Sequence, residues 1–365
     1  MNLDDKAIIE DKVSGCLLGG AIGDALGAPI EFMSLATIRV DFGHAGVTGF
    51  HPAYGKSGAI TDDTQMTLFT AEGLLRGLVR CRERGIGGAE VAIVHGSYLR
   101  WLKTQSSAFD STEDYGDGWL IQQEGLWSRR APGNTCINAL ASKNSPGAPA
   151  TNDSKGCGTV MRVAPIGLLY DDEQAYQMGH QTSELTHGHP TAAISAGVLC
   201  QIISQLREEC PLEQAVLAAL KTAEEKESEL GVANETSEAI QAALSLAKDD
   251  ETPSPELIET LGAAWVAEEA LAISIYCALV ARDFSHGVLL AVNHSGDSDS
   301  TGAITGNMLG LIYGQDQLPE VWRETVELKE VIGQVAHDLV DVPANYFADE
   351  ERAYRAEIFR RYPGC

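Results

Sequence analysis

The chain has 365 residues, 44% of them apolar and only 6% aromatic, and its 52 acidic residues outweigh 26 basic ones to leave a net charge of −26. The apolar fraction supports a sizeable core, and the length allows two domains or one large one. So acidic a chain repels phosphate backbones and anionic lipid surfaces, which excludes general nucleic-acid binding and a membrane partner.

From the start, Met1-Asn2-Leu3-Asp4-Asp5 places acid where a secretory leader needs base, so none is expected. Gly15, Gly19, Gly23 and Gly27 then recur every fourth residue, which on a helix makes a ridge without side chains. Turn residues cluster at 43–60, and the apolar spacing predicts helices over 61–78 and 89–102. Turns return at 104–118, and 131–158, rich in Gly, Pro, Ser and Asn, reads as a long loop of the kind that carries function. Ile194, Val198, Leu199, Ile202, Ile203 and Leu206 fall on one face of a helix over 190–208, and Leu212, Val216, Leu217 and Leu220 repeat that pattern. The acidic stretch 221–256 reads as a solvated helical pair, ending in turn residues at 250–255. Helices are expected over 266–280 and 318–339, and between them Gly302, Gly306, Gly310 and Gly314 form a second ridge. No strand alternation is convincing, so the expected class is all-α.

The apolar run 270–281 is too short to span a bilayer, which needs about 20 residues. Eight cysteines without a CxxC pair read as reduced thiols of a cytoplasmic protein. The eight ridge glycines would cost about 7 kcal/mol against alanine in helices, comparable with a domain's whole net stability. Close helix contact is the expected offset. The sequence leaves open whether the two ridges face each other.

Two segments carry hard oxygen ligands at the heads of predicted helices: Thr61-Asp62-Asp63-Thr64-Gln65 and Ser295-Gly296-Asp297-Ser298-Asp299-Ser300-Thr301-Gly302. Either alone fits helix capping, with Asp62 and Gln65 as a capping box and Asp299 or Ser300 as a cap. Together they place four carboxylates and two hydroxyls in two turns, a set that repels itself unless cations neutralise it. Mg²⁺, Mn²⁺ and Ca²⁺ prefer such oxygens, and the pattern points to a two-metal site that activates water.

These segments, with four others, resemble the ADP-ribosylglycohydrolases. The resemblance begins at Gly15-Cys16-Leu17-Leu18-Gly19-Gly20-Ala21-Ile22-Gly23-Asp24-Ala25-Leu26-Gly27-Ala28-Pro29-Ile30-Glu31 and continues through Thr61-Asp62-Asp63-Thr64-Gln65-Met66. It then takes in Gly156-Cys157-Gly158-Thr159-Val160-Met161-Arg162, Thr186-His187-Gly188-His189-Pro190 and Trp265-Val266-Ala267-Glu268-Glu269-Ala270-Leu271, and closes on Gly296 to Gly302. It implies a compact orthogonal helical bundle formed by one domain over 1–365, with a two-metal site at helix N-termini. Thr61, Asp62, Asp63, Asp297, Asp299 and Ser300 match the family's metal motifs, which hold two Mg²⁺, or Mn²⁺ in some members. Glu31 matches a glutamate near the metals, and Gly156, Cys157, Gly158 and Thr159 match the loop that wraps ADP-ribose. His187 and Trp265 match positions beside the nucleotide and along the cleft.

The implied reaction is hydrolysis at C1″ of the distal ribose, with Asp62 or Asp299 accepting the proton of water and Glu31 assisting the leaving group. The expected substrate is an ADP-ribosylated protein, modified on arginine. The alternatives are serine-linked or other O-linked ADP-ribose, an immunity protein that neutralises an ADP-ribosyltransferase toxin by hydrolysis or occlusion, and a two-metal phosphoesterase. Plainer readings stand beside these roles. Cys157 is a small residue in a tight turn rather than a nucleophile. His180, His187 and His189 have no zinc spacing. Arg129-Arg130 reads as a surface charge pair, Trp265 fits core as well as cleft, and Glu268-Glu269 reads as a charged helix start. Met161 and Arg162 read as part of the helix after the loop.

Overall fold

The glycine ridges organise the centre of the molecule. The computed structural model describes residues 3–110, 112, 114–142, 145–249, 251–346 and 352–364. Their α-helices in chain order are α1 (Leu3–Gly27), α2 (Leu35–Phe42), α3 (Asp62–Arg84), α4 (Glu90–Ser106), α5 (Asn134–Ala141), α6 (Ala164–Leu169), α7 (Asp172–Glu184), α8 (Pro190–Arg207) and α9 (Leu212–Leu230). They continue with α10 (Glu235–Lys248), α11 (Pro255–Ile258), α12 (Ala267–Leu279), α13 (Phe284–Val292), α14 (Ser298–Tyr313), α15 (Glu320–Thr325), α16 (Lys329–Asp341) and α17 (Arg352–Arg361). The sheet content of the described residues is one two-residue antiparallel pair, Pro52–Ala53 with Lys56–Ser57.

Helices α1 and α14 run antiparallel with the two ridges pressed face to face. A Cβ on Gly15 would stand 2.2 Å from the Gly310 carbonyl oxygen, one on Gly19 2.4 Å from that of Gly306, and one on Gly23 1.9 Å from that of Gly302. No real side chain tolerates such distances, so the backbones themselves are in contact. This close packing offsets the entropy that glycine costs a helix. Asn307 fastens the pair by donating from Nδ2 to the Cys16 carbonyl at 2.8 Å.

Around this pair the apolar faces of α3, α6, α8, α12, α13 and α16 close a continuous core. The helix expected over 190–208 is α8, with Pro190 at its first turn, where a missing N–H costs nothing. The segment 318–339 is two helices instead of one. Leu328 adopts φ 61° between α15 and α16, a left-handed break that no glycine or proline announces. The stretch 131–158 contains α5, so it is less of a loop than its composition suggests. Met161 and Arg162 close a 3-10 turn, Cys157–Arg162, ahead of α6 rather than entering that helix. The seven described cysteines are all unpaired. No helix among the described residues is long and apolar enough to cross a membrane.

Candidate active site

Thr61 is the N-cap of α3, accepting the Asp63 amide on its hydroxyl at 3.3 Å, so the capping role falls to Thr61 and leaves Asp62 free of it. The first turn of α3 is held a second time, from α1. Asp24 is fully buried and accepts the Thr61 amide at 2.9 Å, the Thr64 amide at 3.1 Å and the Thr64 hydroxyl. A carboxylate at that position satisfies amides that have no partner inside the helix and complements its dipole. Burial pushes the Asp24 carboxyl up to about 6, against the lowering effect of its Thr64 and Thr61 hydrogen bonds.

The second acidic segment rests on a turn that only glycine fits. Gly296 has φ 124°, and a Cβ there would lie 2.1 Å from the Ala263 carbonyl, which accepts the Asp297 amide at 3.0 Å. Asp297 is the N-cap residue of α14, but its side chain does not cap the helix. That carboxylate accepts the Cys157 thiol at 2.7 Å instead. Ser300, on the first turn of α14, lies close enough to Asp63 to favour its ionised form, so the two acidic segments meet there.

Glu31 enters from the turn after α1. One carboxylate oxygen from each of Glu31, Asp297 and Asp299 lies within 4.8 Å of the others, and all three residues are buried. Glu31 Oε2 and Asp63 Oδ1 are buried without a hydrogen-bond partner. Burial, then the charges of Asp297, Asp62 and Asp24, push the Glu31 carboxyl up to about 9. Asp62, Asp63 and Asp299 are pushed well above the usual carboxylate range, by burial first and by neighbouring carboxylates second. Converging carboxylates with orphaned oxygens are the donor set of a hard divalent cation, and the residues fit one.

A cavity of about 640 Å³ opens over this cluster. Its walls include Glu31, Asp62, Asp63, Asp297, Ser300, Gly156, Cys157, Gly158, His187 and Trp265. Asp299 and Thr61 sit behind that wall, where Asp299 accepts the Ser300 amide at 3.1 Å. Thr159 stays off the cavity and donates to the Gly156 carbonyl at 3.4 Å. Backbone pairing of Gly156 with Val266, and of the Cys157 amide with the Trp265 carbonyl at 3.2 Å, joins the glycine loop to the start of α12.

Several neighbours escaped the sequence reading. Phe32, 72% exposed, stacks on Trp265 with centroids 5.6 Å apart, which puts Trp265 at the cavity mouth rather than in the core. Arg129 also lines the cavity, with the first turn of α5, Gly133 to Thr135, and the Gly133 backbone reaches the Asp62 carboxylate. Arg130 is not its surface twin. It is buried, paired with Glu327 at 2.9 Å, and donates to the Ile60 carbonyl at 2.8 Å. Glu268 is likewise no solvated helix start; it is buried and paired with Lys155, while Glu269 accepts the Ala263 and Ala264 amides.

An all-helical chain whose glycine-paired helices end in a buried carboxylate cluster can be compared with known proteins on both counts. The sequence profile of ADP-ribosylglycohydrolases matches residues 5–348, and the chain belongs to that family. It is 26% identical to the ADP-ribosyl-[dinitrogen reductase] glycohydrolase of Rhodospirillum rubrum, over 88% of this chain and 92% of that one. It is 25% identical to the ADP-ribosylarginine hydrolase Tri1 of Serratia proteamaculans, over 93% of this chain and 81% of that one. A solved structure titled ADP-ribosylglycohydrolase-related protein complex shares the fold, with a TM-score of 0.64 at 24% identity over 91% of this chain and 98% of that one. Family members are glycohydrolases that remove ADP-ribose, and the family uses divalent metal ions.

Proposed function

We propose that the protein is a divalent-metal-dependent hydrolase that cleaves the N-glycosidic bond between ADP-ribose and a protein arginine. The observation that carries this reading is the convergence of Glu31 and Asp297 with Asp299 behind them, beside the orphaned Asp63 oxygen, at an open cavity. In this reading Thr61, Asp62, Asp63, Asp297, Asp299 and Ser300 hold two Mg²⁺ or Mn²⁺ ions at the N-termini of α3 and α14. Bound there, the ions supply Lewis acidity that polarises water and the ribose hydroxyls at neutral pH.

The chain's own groups do the rest. Asp299 or Asp62 takes the proton of the attacking water as its oxygen bonds to C1″ and the bond from C1″ to nitrogen breaks. Carboxylates close to C1″ stabilise the oxocarbenium character of the transition state. Glu31, one carboxylate oxygen of which lies within 4.8 Å of those of Asp297 and Asp299, passes a proton to the departing guanidine nitrogen. Arg129, the uncapped first turn of α5 and the His187 ring line the same cavity and suit the diphosphate. Support for arginine comes from the Asp297-Ser298-Asp299-Ser300-Thr301-Gly302 form of the second motif and from the name of the Serratia relative.

The test is release of free ADP-ribose from arginine-linked and serine-linked peptides in Mg²⁺, with and without EDTA. EDTA-sensitive release from arginine alone is the expected result. Release from serine overturns the linkage, and no release from folded, metal-loaded protein overturns the activity.

A further inference from the structure

Behind the cavity lies a cation that the catalytic proposal does not use. Arg162 is fully buried and has no carboxylate partner among the described residues. Its guanidinium rests on the Tyr98 ring, 4.5 Å from the centroid. Nη2 donates to the Thr182 carbonyl at 3.2 Å and to the Thr186 hydroxyl oxygen at 2.7 Å, and Nη1 reaches the Cys136 sulfur at 3.5 Å. A buried guanidinium without a counter-charge is costly, so its geometry has to be held by every acceptor it meets.

The Thr186 oxygen faces two ways. It accepts from Arg162, and it lies 2.8 Å from His187 Nδ1. Arginine has no acceptor atom, so the direction of that first bond is fixed. The hydroxyl then has one hydrogen to give. The Ser183 carbonyl is 3.4 Å away, and the Cys136 sulfur is a poor acceptor already approached by Arg162. A neutral imidazole nitrogen at 2.8 Å is the strongest acceptor in reach. The ring is neutral, since burial first and the Arg162 charge second push His187 down to about 3.

The geometry points to an Arg162–Thr186–His187 relay that fixes the His187 tautomer, so that Nδ1 accepts within the wall and Nε2–H is presented to the cavity as a permanent donor. Arg162 and Thr186 are positioning residues in this arrangement, and His187 is the group that meets the ligand. The room in front of the ring is made by glycine. A Cβ on Gly156 would stand 3.2 Å from Nε2, and one on Gly158 would stand 3.2 Å from Cε1. No protein acceptor among the described residues reaches Nε2, and the ring lines the cavity. The ligand it suits is therefore an acceptor oxygen, anionic or neutral. Only the identity of that ligand rests on the hydrolase reading; the tautomer does not.

The experiment is a long-range proton–nitrogen correlation spectrum of the ligand-free full chain labelled with [¹⁵N]histidine, with His187→Gln used to assign the ring. The expected result is an Nε2-protonated His187 at neutral pH. An Nδ1-protonated ring in the wild type overturns the proposal. Thr186→Val is expected to lose the Nε2–H pattern and to bind free ADP-ribose about tenfold more weakly, the loss of one well-placed hydrogen bond. Thr186→Ser is expected to restore both. Unchanged ring pattern and affinity in Thr186→Val overturn the relay. A wild type with the Nε2–H pattern that does not bind ADP-ribose supports the relay and counts against the hydrolase reading instead.

Discussion

The α1–α14 pair has two unlike ends. From Gly15 to Gly23 its backbones touch with no side chain between them, and the neighbouring residues are buried apolar groups. Within the next turn or two, where Gly27 still touches the Asp299 backbone, the end of α1, the turn after it and the head of α14 bring Asp24, Glu31, Asp297 and Asp299 into a buried site where the charges oppose one another. One end is optimised for contact, and the other keeps like charges together at a cost in stability. The difference teaches that stability and function are segregated along one helix pair: the close-packed half offsets the strain of the half that does chemistry.

The sharpest way to break that comparison is Asp299→Asn. Release of ADP-ribose should fall about 10³-fold or more, since a ligand and candidate base is removed. Thermal melting of the metal-free protein should meanwhile rise by a few degrees, because one repelling charge is gone. A variant that loses activity and stability together would show that the cluster is a structural element instead.

The next effect lies at the other end. A Cβ on Gly306 would stand 2.0 Å from the Gly19 carbonyl, so Gly306→Val should destabilise the fold by about 3 kcal/mol or more, read by denaturant unfolding. The activity per folded molecule should be preserved. The smallest effect concerns pH. Folded Glu31 keeps its proton up to about 9, and the unfolded chain releases it near 4.5, so the folded state binds more protons across that window. The associated stability is fully present below the unfolded value and is lost as pH rises through the folded one. Metal-free protein should lose about 1 kcal/mol per pH unit between pH 6 and pH 8, and saturating Mg²⁺ should flatten that slope.

Much of this was legible because it is written in short-range spacing. The four-residue glycine repeats give α1 and α14 their ridges, and Thr61-Asp62-Asp63 and Asp297-Ser298-Asp299-Ser300 stand at the helix heads where spacing places them. What escaped depends on partners far along the chain. Asp24 reads as one polar residue in a glycine-alanine helix, and its role appears only through Thr61, 37 positions later. Arg130 looks solvated until Glu327, 197 positions away, is brought beside it. Phe32 looks like an ordinary apolar residue until Trp265 stacks on it. The break at Leu328 has no composition signal, because a non-glycine residue in a left-handed conformation is imposed by the packing on either side.

The antiparallel pairing of α1 with α14 also sets a timetable. The bond from Asn307 to the Cys16 carbonyl closes 291 residues of chain, so on the ribosome α1 is made long before the helix that covers its ridge. A growing chain can shape Thr61, Asp62 and Asp63 early, but the opposing Asp297, Asp299 and Ser300 arrive only 234 residues or more after them. Chain ordering of that kind makes the central contact a late, non-local event in folding. The full set of carboxylates therefore comes together only after α1 to α13 exist, and a growing chain that has not reached α14 offers no complete cage in which a divalent cation could be trapped.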